Sequence, residues 1–170
     1  MDWVQIAFRL VHIGAAIAWA GGAALFFFYI EPTINKLGPD GEKFVQEFVV
    51  RRKVPTYFAA VSTLTVLGGV ILYFKDAGGL QLWTSTTGLV YGIGAIAGIL
   101  AWLGGAALVS PAVKKVGAIG QEMKAAGGPP SAELIGRMQA AQHNLRQIGL
   151  WDLVLIIVAI VSMESARFVG

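Results

Sequence analysis

The chain has 170 residues, of which 56% are hydrophobic and only 14% charged, and its mean hydropathy of +0.67 is too high for a soluble domain of this size. The chain contains no cysteine, which excludes disulfides, thiolate metal sites and thiol redox chemistry. The net charge of +3 could suggest nucleic-acid binding, but the positions of the charges indicate membrane topology instead.

Four apolar runs predict four membrane-spanning helices. In the first run, residues 10–30, His12 is the only strongly polar side chain, and a helix of this length rises about 30 Å. Runs of similar length follow at 54–74, 88–109 and roughly 148–168, and Asp152 and Glu164 interrupt the last one. These runs are continuous for twice the length of an alternating barrel strand, so a sheet is excluded.

The predicted fold class is therefore all-α, an integral membrane four-helix bundle in a single domain, residues 1–170. We expect helices at about 3–31, 53–75, 86–110 and 146–168. The two long loops are then 32–52 and 111–145.

Basic residues concentrate at these two loops. Ten lie in or beside them, and three lie at the opposite ends of the helices. The ten are Lys36, Lys43, Arg51, Arg52, Lys53, Lys114, Lys115, Lys124, Arg137 and Arg146; the three are Arg9, Lys75 and Arg167. The positive-inside rule predicts cytoplasmic loops and periplasmic or external termini, in a multi-pass protein of the inner (plasma) membrane. The expected partner is the lipid bilayer, not nucleic acid.

The chain contains an internal repeat. The sequence AWAGGAAL at 18–25 recurs as AWLGGAAL at 101–108, and EPTINKLG at 31–38 is echoed by SPAVKKVG at 110–117. The repeat predicts two helical hairpins related in parallel, by an axis along the membrane normal. The small residues favour close helix packing, and Pro32 and Pro111 are expected to end the first and third helices.

His12 occurs in only one copy of the repeat, because Ala95 stands at the equivalent position. Ionisable groups at membrane depth are costly and by default indicate a site. The alternative is a neutral imidazole that is hydrogen-bonded to a neighbouring helix as a structural contact. His143 lies near the cytoplasmic end of the fourth helix, too far from His12 for both to bind one haem.

Several side chains are expected at the depth of His12. Arg9 lies one turn away, Tyr91 begins the third helix, and Met163 and Glu164 lie near the end of the fourth. Arg9 and Glu164 are candidates for an ion pair, either as a structural contact or as an anchor for an anionic group such as a haem propionate.

Two further expectations concern the fourth helix. Asp152 is expected to pair with one of four basic residues, Arg51, Arg52, Lys53 or Arg146. The amphipathic segment that begins at Ser131 is expected either to lie along the membrane surface or to continue into this helix.

The sequences LVHIGAAIAWAGGAALF, RRKVPTYFAAVSTLTVLGGVILYF and LWDLVLIIVAIVSMESARF resemble small four-helix membrane proteins related to the copper-resistance D-type (CopD-like) domain. More distantly, they resemble the HemJ-type protoporphyrinogen oxidases. The early histidine of that second family is implicated in haem b binding, which implies this role for His12. The same family has a lysine near the start of its third helix, where this chain has Thr86 and Thr87, so the oxidase reaction itself is not predicted.

Three hypotheses follow, and none assigns a catalytic residue. The first is a haem b-binding redox or electron-transfer protein, with His12 as axial metal ligand, Arg9 and Glu164 near a propionate, and Tyr91 or Met163 on the distal side. The second is a noncatalytic accessory subunit of a larger membrane complex, a hypothesis that a clean monomer or homo-oligomer would weaken. As partners, a homo-oligomer and a larger membrane complex both stay open. The third is a copper-handling membrane protein with His12 and Met163 as ligands.

Overall fold

The protein forms four long helices, as seen in a computed structural model that describes residues 2–76 and 84–169. They are α1 (Trp3–Leu37), α2 (Val54–Asp76), α3 (Thr86–Ala125) and α4 (Ala132–Ser165). All four are long and apolar enough to cross a membrane, and the described residues contain no strand. The all-α fold class is therefore confirmed.

Polar side chains cap the starts of three of these helices. The carboxylate of Asp2 accepts hydrogen bonds from the N–H groups at the start of α1, and the hydroxyls of Ser85 and Ser131 do the same for α3 and α4. Each cap satisfies backbone donors that have no partner within the helix.

Helices α1 and α3 share a backbone irregularity just before the proline of the second repeated sequence. Both helices widen into a five-residue π-helical segment, Phe26–Ile30 in α1 and Gly105–Val109 in α3. Each segment ends two residues before a proline, Pro32 or Pro111. A proline lacks the N–H of the regular helix and clashes with the carbonyl four residues earlier, and the wider turn accommodates both defects.

The expectation that these prolines end their helices is therefore wrong. Helix α1 continues as an α-helix over Glu31–Leu37, and α3 continues over Ser110–Ala125. Helix α4 begins at Ala132 and runs unbroken to Ser165, so the segment after Ser131 continues into the fourth helix rather than lying apart from it. Much of the predicted loop 111–145 is thus an extension of the α3–α4 hairpin, bridged by an ion pair of 2.8 Å between Arg137 and Glu122.

A short helix, Pro39–Val45, and a π-helical turn, Gln46–Arg51, connect α1 to α2. The chain reverses at Gly38 with φ of +54° and, between α3 and α4, at Gly127 with φ of +64°. Glycine adopts this left-handed backbone region without the steric cost that a β-carbon would impose.

Helix α1 packs mainly against α2, and α3 packs mainly against α4. The two pairs meet around Trp19 of α1, which forms a buried cluster with Ala101 of α3 and Ile156 of α4, against which Phe58 and Val61 of α2 pack. Many large apolar side chains point outward instead, among them Ile17, Leu64, Leu103 and Val161. The core is therefore small, and much of the outer surface is hydrocarbon.

Candidate functional site

His12 lies on α1 and is hydrogen-bonded to α2. Its Nδ1 is 2.7 Å from the backbone oxygen of Thr65, and the side chain is half-buried. Because a carbonyl oxygen only accepts, the proton of this bond is on Nδ1. In the neutral imidazole the lone pair is then on Nε2, which leaves that nitrogen as the acceptor or ligand atom.

Two glycines of α2 make room for the imidazole. A β-carbon at Gly69 would lie 2.9 Å from Cε1 and 3.2 Å from Nδ1 of His12, and one at Gly68 would lie 3.2 Å from its Cβ. Distances this short require atoms to move. This Gly-Gly pair is thus the surface on which His12 packs.

Thr65 is the partner that sequence reasoning missed. It is buried, and its own hydroxyl donates to the backbone oxygen of Val61 at 2.8 Å, so its side chain is satisfied within α2. The spacing of Thr65, Gly68 and Gly69 by three and four residues places them on one face of the helix. That spacing could have indicated a helix-contacting face on α2, but it did not show which helix would pack against this face.

The other candidate ligands contact a different pair of helices. Met163 of α4 packs on Gly94 of α3, where a β-carbon would lie 2.9 Å from its Cγ. Tyr91 is half-buried one turn before Gly94 on α3. The contacts described for His12 are with α2, so His12 belongs to the α1–α2 pair, and Met163 and Tyr91 belong to the α3–α4 pair.

The charged candidates lie near the helix ends. Glu164 is exposed and forms an ion pair of 3.1 Å with Arg167, one turn further along the chain. Arg9 is exposed on α1, three residues before His12. The two residues therefore provide charge at the same end of the molecule as His12.

His143 lies at the other end. Arg146, one turn after His143 on α4, forms an ion pair of 3.3 Å with Glu31, and its guanidinium lies 4.7 Å from the ring centre of Phe27. Glu31 is 19 residues from His12 along α1, a rise of about 28 Å. This placement agrees with the expectation that the two histidines do not share a ligand.

Asp152 of α4 does not form the predicted ion pair. Its Oδ1 is buried without a hydrogen-bond partner among the residues that the structure describes. The arginines expected there have other partners, Glu31 for Arg146 and Glu47 for both Arg51 and Arg52. The expectation failed because sequence position does not show which acidic residue a long basic side chain reaches.

Within the described ranges, no three histidine, aspartate or glutamate side chains are grouped so that they could hold a metal ion. The two histidines of the chain, His12 and His143, lie at opposite ends of the molecule, so a metal-containing group could take only one of them as a ligand. His12, with Nδ1–H engaged and Nε2 free to coordinate, has the form of such a ligand.

Models of known protein families, curated proteins and solved structures were each compared with the chain, and none of them matches.

Proposed function

We propose that this chain is a multi-pass protein of the inner (plasma) membrane with both termini on the external side. Four helices of spanning length support this proposal, as do their outward-facing apolar side chains. The excess of lysine and arginine at the loop ends of the helices, residues 36–53 and 114–146, supports the orientation.

The absence of native cysteine allows a direct test of this topology. Single cysteines would replace Lys115 at the loop end of α3 and Val169 after α4, both of which are exposed. A membrane-impermeant maleimide should label Val169→Cys in intact spheroplasts and Lys115→Cys only after lysis. The reverse labelling pattern would show that the topology is inverted. Labelling of both cysteines before lysis would exclude the proposed topology.

We further propose that the protein binds haem b through Nε2 of His12 and serves as a redox or electron-transfer protein. The observation that supports this is the 2.7 Å hydrogen bond from Nδ1–H to the carbonyl of Thr65. A histidine that ligates a metal typically donates its other ring N–H to a carbonyl or carboxylate, which fixes the tautomer and the ring orientation. His12 thus has the hydrogen bonding expected of a residue that would hold the haem iron.

The remaining candidates are assigned by their chemistry. Arg9, three residues before His12 in the sequence, would bind a haem propionate through its guanidinium. Glu164 would provide an acidic group at the same end of the molecule. Met163 and Tyr91 would supply distal groups from the α3–α4 pair. Haem b, when bound, supplies one-electron redox chemistry. The protein would orient the ligand nitrogen and exclude water with the apolar faces of the helices.

An absorption spectrum of the purified protein from haem-replete cells tests this proposal. We expect a Soret band that disappears in His12→Ala and persists in His143→Ala, which removes the exposed histidine at the other end. A colourless wild-type preparation would overturn the proposal. A band that survives in His12→Ala but disappears in His143→Ala would show that His143, and not His12, is the ligand.

A noncatalytic accessory subunit is the second candidate. The same hydrogen bond also ties α1 to α2, which is the role of a structural histidine, and the aromatic side chains of Phe28 and Tyr29 are exposed. In this case His12→Ala would lower stability without a spectral change. Stoichiometric partners would then copurify in mild detergent, whereas a colourless protein that purifies alone would contradict this candidate.

A further inference from the structure

Asp152 is half-buried in the helix bundle and is separated along the helices from other charged side chains. In the central parts of the four helices, 13–28, 58–72, 92–113 and 147–163, it is the only ionisable side chain in the sequence. It lies six residues from Arg146, a rise of about 9 Å along α4. Asp152 is therefore closer to the loop end of the bundle than to the end that holds His12.

One oxygen of its carboxyl group lies against a glycine of the neighbouring helix. A β-carbon at Gly104 of α3 would lie 3.5 Å from Asp152 Oδ1, so this oxygen faces the glycine of the second repeat copy. One turn earlier on α4, Gly149 faces the ring of Phe27 on α1. Oδ1 is buried and accepts no hydrogen bond from the described residues.

Each of the four helices carries charged or titratable groups, but these lie at the two ends of the central part of the bundle that contains Asp152. At the loop end they are Tyr29 and Glu31 on α1, Tyr57 on α2, Lys114 on α3 and Arg146 on α4. At the other end they are His12 on α1, Tyr73 on α2, Tyr91 on α3 and Glu164 on α4. The nearest cation along α4, Arg146, is bound to Glu31.

Ionisation would leave the buried Oδ1 without a hydrogen-bond donor or a counter-ion among the described residues, and a protonated carboxyl avoids this cost. We propose that Asp152 is a proton-binding site, protonated in the resting protein and in exchange with water at the loop end of the bundle. In the exchange the carboxyl O–H bond breaks and its proton passes to a water molecule, and the reverse step restores the acid. No electron moves, so the site is independent of the haem proposal.

Infrared spectroscopy of the purified protein in lipid tests this proposal. At about pH 6, well above the ordinary titration range of aspartate, we expect a C=O stretching band of a protonated carboxyl. The band should be absent in Asp152→Asn and retained in Glu31→Gln, a matched variant of the ion-paired acid on α1. It should also shift after transfer to deuterated buffer. Absence of the band, or a band that never shifts, would overturn the proposal.

Carbodiimide labelling of the wild-type chain gives a second measurement. It tests the proposal even if Asp152→Asn does not fold. Hydrophobic carbodiimides react with protonated carboxyls in apolar surroundings, and mass spectrometry locates the adduct. We expect labelling at Asp152 that exceeds labelling at Glu31 and falls about tenfold per pH unit above its midpoint. Labelling confined to Glu31 would contradict the proposal. Protection of Asp152 from labelling by Na⁺ at constant pH would show that Asp152 binds a metal cation, which would overturn the proposal of a proton site.

Discussion

The imidazole of His12 occupies the space that a side chain at Gly69 would need, since a β-carbon there would lie 2.9 Å from the ring atom Cε1. The ring is held in this place by the hydrogen bond from Nδ1 to the carbonyl of Thr65. Any side chain at position 69 therefore displaces a ring edge that the hydrogen bond to Thr65 holds in place.

Gly69→Ala is accordingly expected to break the His12–Thr65 hydrogen bond and to lower the free energy of unfolding by about 1–3 kcal/mol, as overpacked helix contacts do. If His12 binds haem, the Soret absorbance per protein should fall as well. The matched control is Gly14→Ala on α1, where a β-carbon would meet no atom within 4 Å. Equal stability of the two variants in detergent unfolding would refute the packing argument.

Two glycines one turn apart on α3 are expected to respond differently to the same substitution. A β-carbon at Gly94 would lie 2.9 Å from Met163 Cγ and 3.1 Å from the backbone oxygen of Ala159, whereas one at Gly98 would meet only Ala159 Cβ at 3.8 Å. We expect Gly94→Ala to destabilise by about 1–3 kcal/mol. Gly98→Ala should be neutral or stabilising by about 0.5–1 kcal/mol, because glycine is a poor helix former.

Unfolding in mixed micelles, followed by circular dichroism, measures both variants. The double variant Gly94→Ala with Met163→Ala should recover part of the loss, because the shorter side chain vacates the space that the new methyl group needs. Destabilisation by Gly98→Ala as large as that by Gly94→Ala would show that the contact distances do not govern the outcome.

A hydrogen bond of 3.1 Å from Trp102 Nε1 on α3 to Thr63 Oγ1 on α2 links the two helix pairs. A double-mutant cycle with Trp102→Phe and Thr63→Val should give a coupling energy of about 0.5–2 kcal/mol, the range found for such bonds between membrane helices. Thr56→Val, at an exposed position of α2, replaces Thr63→Val in the control cycle and should give no coupling. A zero value in the first cycle would argue against the bond.

The start of α1 is expected to depend on pH. The backbone N–H of Gln5, followed by the ammonium of Lys75 at 3.3 Å, holds the pKa of Asp2 below its ordinary value of 3.8. A lowered pKa means that the contribution of Asp2 is present above pH 3.8 and is lost as the pH falls through the folded-state value.

Hydrogen exchange at the amides of Val4 and Gln5, which donate to Asp2, should therefore accelerate as the pH falls below this range, once corrected for intrinsic exchange rates. In Asp2→Ala the same amides should already exchange fast at neutral pH, with no further change on acidification. Protection that persists in Asp2→Ala would show that the cap does not hold this turn.

The number of long helices and the positions of their apolar parts were predictable because each depends on a local run of apolar residues, but the extensions of α1, α3 and α4 beyond these runs were not. The local rule for proline was less informative: it predicted helix ends at Pro32 and Pro111, but the backbone widens into π-helical turns and continues. A proline removes one donor and imposes one clash, and both a helix end and a wider turn resolve these. The sequence alone does not show which of the two occurs.

The sequence by itself determined which residues are exceptional, namely a histidine and an aspartate in helices that otherwise carry hydrocarbon and small side chains. Only the tertiary structure decided what these two residues contact. His12 donates a hydrogen bond to the carbonyl of Thr65 and packs on Gly69, whereas Asp152 faces Gly104 and has no cation partner among the residues that the structure describes. Residue type sets the cost of placing a polar group among apolar helices, but the neighbouring helix determines whether that cost is offset.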